Sequence, residues 1–187
     1  MPPKCKFTKE EIIKAALSIA RQHGIESVTA RAVGAELNSS SKVIFSTFNS
    51  MDELQKEVLN SAKCIYNNYL NNEMKSGKYP AYKASGMAYI RFAKEEKELF
   101  KLLFMRDRSG ETINNDYEEI KPIIKIIMNN TGLCEKSAYM MHLEMWVYVH
   151  GIATMVATSY LNWKWEDISQ MLTNCYEGTR KRYMEGK

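Results

Sequence analysis

The stretch Thr29-Ala30-Arg31-Ala32-Val33-Gly34-Ala35-Glu36-Leu37-Asn38-Ser39-Ser40-Ser41-Lys42-Val43-Ile44-Phe45-Ser46-Thr47-Phe48 holds two short apolar-periodic runs separated by a polar break. Thr29 is a good N-cap for a helix from Ala30 to about Glu36, with Val33 and Leu37 facing inward, because its hydroxyl can accept an orphan amide of the first turn. Asn38 breaks that helix. Ser39-Ser40-Ser41 then offers an N-cap for a second short helix carrying Lys42, Val43, Ile44 and Phe45, and Phe48 follows three residues later. The order is helix, turn, helix.

Working outward, Thr8-Lys9-Glu10-Glu11 reads as a capping box, in which hydroxyl and carboxylate satisfy orphan amides reciprocally. The helix behind it carries one apolar stripe, Ile12, Ala15, Ala16, Ile19 and Ala20. Gly24 supplies its left-handed stop, and Ile25 and Val28 return the chain to the core. On the other side Ser50-Met51-Asp52-Glu53 is a second capping box. It predicts a long helix from about 51 to 73, marked by Leu54, Val58, Ala62, Ile65, Tyr69 and Leu70. Further helices follow at Ala81 to about Lys94 and through Leu99 to Phe104. After a loop at Arg106-Asp107-Arg108-Ser109-Gly110, a helix over 112–129 must be kinked or divided by Pro122. From Glu135 to Tyr160 the pattern is apolar nearly all round, which predicts burial on more than one side. A last helix runs from about Trp165 to Met184. Apolar residues recur at three and four, strand-like alternation is hard to find, and the chain is therefore expected to be all-α with about nine helices.

The chain has 187 residues, 45% apolar and 26% charged, with a mean hydropathy of -0.40. These values exclude a large multidomain enzyme, an integral membrane protein and a dominantly disordered chain. Met1-Pro2-Pro3-Lys4-Cys5-Lys6 lacks an apolar signal core, so a cytoplasmic location without membrane attachment is expected. Of the net charge of +4, residues 1–50 hold +3, with seven bases and four acids. This asymmetry is the pattern of a chain that meets a polyanion at one end. A solvated basic N-terminus gives the same count.

Chemistry that would mark an enzyme is missing from the sequence. Cys5, Cys64, Cys134 and Cys175 stand far apart, and His23, His142 and His150 lack metal-ligand spacing, so no metal and no cofactor is expected. No nucleophile elbow or phosphate-binding glycine loop appears. Glu144, between Met141 and Trp146, is the one carboxylate whose surroundings predict a raised pKa.

A recognition helix enters the major groove with its first residues at base edges, while the preceding helix holds phosphates. On that reading Ser39, Ser40, Ser41, Lys42, Val43, Ser46 and Thr47 touch DNA, and Thr29 and Arg31 face phosphate from the start of the second helix. The rival reading is that the serines only cap and the lysine is only solvated.

The motifs Ile12-Ile13-Lys14-Ala15-Ala16, Gly24 with Thr29, Val33 to Ser40, and Ile44 to Leu54 resemble the DNA-binding domain of TetR/AcrR-family transcriptional regulators. Trp146-Val147-Tyr148-Val149-His150-Gly151 looks like the W-x-x-x-H-G signature of one effector-domain branch. The resemblance implies a three-helix DNA-binding domain over 1–50 and a helical effector-binding and dimerisation domain over 51–187. It implies further a homodimer formed through the last two helices, a palindromic DNA operator, and an unidentified small apolar effector that releases a repressor from it. Tyr89, Phe92, Phe104, Met141, Trp146 and His150 are the residues expected at the effector; the competing reading makes these aromatic and Met stripes plain core. Phe45 stands where the family usually has a Tyr whose hydroxyl meets a phosphate, and Asn38, Ser39, Val43 and Met51 also depart from the family pattern. The alternative function is a helical adaptor or ligand-binding protein of the same fold that has lost DNA binding.

Overall fold

The computed structural model describes residues 7–109 and 116–185. Lys4, Cys5, Lys6, Gly110 and the expected helix start at 112 lie outside the described residues. Among those described there are nine α-helices and no strand: α1 (Lys9–His23), α2 (Ala30–Glu36), α3 (Lys42–Phe45), α4 (Met51–Lys75), α5 (Ala81–Glu95), α6 (Lys97–Phe104), α7 (Asp116–Thr131), α8 (Glu135–Ala157) and α9 (Trp165–Glu185). One 3-10 turn, Ile25–Ser27, follows α1. No helix among the described residues is long and apolar enough to cross a membrane.

The chain divides into two compact units, one of residues 1–67 with 96–106 and one of 68–95 with 107–187. In the first, α1 packs on α2 and α6, and α2 on α3. Its core is Ile12, Ala16, Ala20, Val33, Ile44, Phe48, Leu54, Val58, Leu99 and Phe100, all almost fully buried. In the second, α8 packs on α5, α7 and α9. There Ile124, Ile127, Leu133, Ala138 and Met141 form a cluster with Tyr82, Ile120, Met128, Tyr139, Tyr176 and Tyr183 packed against it. The helix α4 begins in the first unit and ends in the second.

Local signals act as their chemistry requires in most places. Thr8 and Glu11 close the first capping box reciprocally, and the Thr29 hydroxyl accepts the Ala32 amide. Three expectations are corrected. Gly24 has φ 82 and ψ 165, a positive-φ conformation that glycine alone adopts readily but not the left-handed helical one, and its amide donates to the Ala20 carbonyl. Ser41 at the start of α3 has helical dihedrals and makes no side-chain cap; the backbone carbonyls of Ser40 and Ser41 accept the Val43 and Ile44 amides instead. At the second box the Ser50 hydroxyl accepts the Glu53 amide, but the Glu53 carboxylate accepts the amide of Asn49 rather than that of Ser50. Of the two outcomes expected at Pro122, division does not occur, and α7 runs unbroken through it. Pro122 is the seventh residue of the helix and has no amide to donate, so α7 forgoes the backbone bond from that position to the Glu118 carbonyl without ending there.

Candidate DNA interface and effector-unit residues

The helix-turn-helix owes its tightness to Gly34. A Cβ there would stand 2.9 Å from the Ser40 carbonyl carbon and from the Ser41 nitrogen, and the Ser39 amide donates to the Gly34 carbonyl at 2.8 Å. Asn38 makes the turn with φ 49, a conformation that Asn tolerates better than most residues. Ile44 and Phe48 are buried on the inner side, which turns the other side of α3 outward. Arg31, Ser40, Lys42, Phe45 and Ser46 are exposed, as is Thr29, while Ser39, Ser41, Val43 and Thr47 are half-buried. All ten candidate residues thus lie on or beside one short helix-turn-helix segment with at least partial access to solvent. The Ser46 hydroxyl donates to the Val43 carbonyl at 2.7 Å. Phe45 is 55% exposed.

The six effector candidates are brought together only in part. Tyr89 Oη and His150 Nδ1 are hydrogen-bonded at 2.9 Å, and the Trp146 ring stacks on the His150 ring with centroids 5.2 Å apart. Phe92 is buried and meets Tyr69 edge-on at 5.5 Å. Met141 is fully buried in the α7–α8 cluster, which makes it a core residue. Phe104 belongs to the first unit, where it packs against Tyr66 and Phe100. Burial holds the His150 pKa below the ordinary value, favouring the neutral ring. A second pair, Tyr82 Oη with His142 Nδ1 at 3.1 Å, repeats the arrangement. Burial pushes His142 down to about 4 and Tyr82 upward, so this pair is neutral.

The expected surroundings of Glu144 are not found. It is half-exposed, accepts hydrogen bonds from Tyr183 at 3.0 Å and from Arg182, and pairs with the Arg182 guanidinium. The helix α8 is less enclosed than its apolar pattern predicts, because Met140, Trp146, Val147 and Met155 are exposed in the single chain. A surface groove of about 490 Å³ reaches Val147 among these, lined by Glu144, Val147, Tyr148, Cys175, Gly178, Thr179 and Arg182. None of the six effector candidates lines it.

Three structural features escape sequence reasoning. Glu96 is 3% exposed and accepts two hydrogen bonds from Arg21 of α1. Glu73, near the end of α4, accepts from Arg91 Nε at 3.1 Å. Arg91 also pairs with Glu95 at 3.6 Å and lies over the Trp165 ring. Thr154 Oγ1 is buried without a hydrogen-bond partner, one turn beyond His150 on α8. A charged residue between apolar neighbours, as in Ile90-Arg91-Phe92, was the available signal for the second of these.

Residues 12–58 match the bacterial regulatory proteins of the tetR family. Residues 82–175, half of the chain, match the Tetracyclin repressor-like, C-terminal domain. No curated protein matches the chain. With the helix-turn-helix inside the first match and the Tyr89–His150–Trp146 group inside the second, the chain belongs to the tetR family of bacterial regulatory proteins and is a DNA-binding transcriptional regulator.

Proposed function

We propose that this regulator is a homodimeric, ligand-responsive repressor, released from a pseudo-palindromic operator by a small, mostly apolar molecule with a polar group. The observation that carries the ligand response is the polar cluster in the second unit. A hydrogen-bonded Tyr89–His150 pair lies beside a half-exposed Trp146, and the buried Thr154 hydroxyl lacks a partner. Leaving a buried hydroxyl unpaired costs about 1–3 kcal/mol, so a ligand that pairs it gains that much. Tyr89, Trp146, His150 and Thr154 are the residues we assign to the effector. Phe92 stands behind them, and neither Met141 nor Phe104 needs to touch it.

The dimer reading is supported by the outward face of α8. Val147 is 64% exposed, with Met140 and Met155 beside it, and the α8–α9 groove offers concave apolar surface at the same place. A second copy would cover both. The half-sites of the operator then lie about one helical turn, roughly 34–36 Å, or a multiple apart.

Coupling requires that the ligand favour one arrangement of the dimer over another. The lever is α4, which is shared by both units. Its last turns are held in the second unit by α5, through Arg91 on Glu73 and Phe92 on Tyr69, and the Tyr69 hydroxyl donates to Glu95 at 2.9 Å. Tyr89 lies three residues before Phe92 on the same helix, so a ligand that displaces Tyr89 disturbs the Phe92–Tyr69 contact and moves α4. Tryptophan fluorescence tests the reading: compounds are sought whose signal is lost in Trp146→Phe. Binding that persists unchanged in Tyr89→Phe, His150→Ala and Thr154→Val together would place the effector elsewhere.

A further inference from the structure

Phe45 is the one exposed large apolar side chain among the described residues of 7–67. It ends the recognition helix, and Ile44 and Phe48, both buried, anchor the backbone on either side of it. The ring is therefore held out from a fixed position rather than from a loose loop. Around it the groups that can hydrogen-bond a base are mostly short: Asn38, Asn49 and the serine and threonine hydroxyls of the segment. From Leu37 to Met51 there is no Asp or Glu, and Lys42 is the single charge. The four residues of α3 contain no Asn, Gln or Arg. Asn49 is engaged with Glu53 through its side-chain amide at 2.9 Å.

Base edges in the major groove are distinguished by donors, acceptors and a single apolar group, the C5-methyl of thymine. Guanine is matched best by Arg or Lys, adenine by Asn or Gln and cytosine by a carboxylate, while Ser and Thr hydroxyls meet several bases and so discriminate little. This helix carries one Lys and none of the others. Its largest accessible group is an aromatic ring without a hydroxyl, whose apolar surface is in water until something covers it. We infer that Phe45 is a specificity-determining residue that reads thymine through the C5-methyl group, giving the operator a fixed thymine in each half-site. The inference rests on the helix-turn-helix binding DNA in its major groove.

The test uses duplexes that the full-length protein selects from a random-sequence pool. A thymine is expected to dominate one position of each half-site. Replacing only that base by deoxyuridine removes the methyl and leaves the pairing edge intact. Burial of one methyl-sized group, about 0.8 kcal/mol, corresponds to about a fourfold loss of affinity for each half-site. Phe45→Ala should bind thymine and deoxyuridine duplexes equally, and a pool selected with that variant should lose the preference. Phe45→Tyr keeps the ring and should keep the fourfold ratio even where its added hydroxyl changes the overall affinity. Selected duplexes that the unsubstituted protein binds with equal affinity in thymine and deoxyuridine forms would overturn the inference while leaving DNA binding intact. Failure to enrich any sequence, with no shift of any duplex, would instead overturn the DNA-binding reading itself.

Discussion

Gly34 has no room for a side chain, because an added Cβ would approach the backbone of Ser40 and Ser41 at 2.9 Å. Backbone cannot swing aside as a side-chain tip can, so Gly34→Ala is expected to cost about 1–3 kcal/mol, measured by urea unfolding. It should also weaken DNA binding, since the turn it displaces carries Ser39 to Ser41. Lys42 is exposed beside that turn, and Lys42→Ala should lower the salt dependence of operator binding by about one unit of slope if its ammonium meets a phosphate. On the resemblance drawn from the sequence a Tyr at position 45 would offer a hydroxyl to phosphate with its ring still at the base, and Phe45→Tyr is expected to tighten binding by roughly 0.5–1.5 kcal/mol. The residues of this segment were legible because capping and turn chemistry act within a few positions. The Thr29 cap and the Asn38 break need only local sequence, and both stand in the structure. Gly34 was not legible as a close approach, since the backbone it meets returns five to seven residues later.

At the scale of elements the boundaries followed from caps and periodicity, whereas the partners of charged side chains did not. Glu144 is not enclosed by its apolar neighbours in sequence, because they lie on different faces of α8 and the carboxylate's own face turns toward Arg182 and Tyr183. The carboxylates that are buried, Glu73 and Glu96, sit where two helices meet at a distance in sequence. Arg21→Ala would remove the two charge-assisted hydrogen bonds that the buried Glu96 accepts inside the first unit. With the guanidinium itself half in solvent, a loss of about 1–3 kcal/mol is expected in denaturant unfolding. Lys9→Ala, which breaks an exposed pair with Glu57, should cost less than Arg21→Ala. His142 gives a pH signature. Its folded pKa of about 4 lies below the ordinary 6.5, so between these values the unfolded chain binds the proton that the folded one refuses. Stability is then full above about pH 6.5, falls as pH drops toward 4 and changes no further below it, by up to about 3 kcal/mol from this group. His142→Gln should remove that part of the pH dependence in unfolding curves.

For the whole molecule, the apolar stripe of α8 pointed to burial on several sides, and one of those sides is open in the single chain. Sequence periodicity counts apolar faces without distinguishing an internal neighbour from a second copy. Sedimentation at micromolar concentration should give a dimer, and Val147→Glu, which places a charge on the exposed face of α8, should give a monomer with weakened operator binding. The most direct measurement is the affinity for a selected operator duplex with and without a saturating compound whose fluorescence signal depends on Trp146. Repressor release by the effector requires the affinity to fall by about 5–150-fold, and the compound to bind the DNA-bound protein more weakly by the same factor, since coupling is reciprocal. A compound that binds tightly through Trp146 and His150 yet leaves operator affinity unchanged would contradict ligand-controlled release.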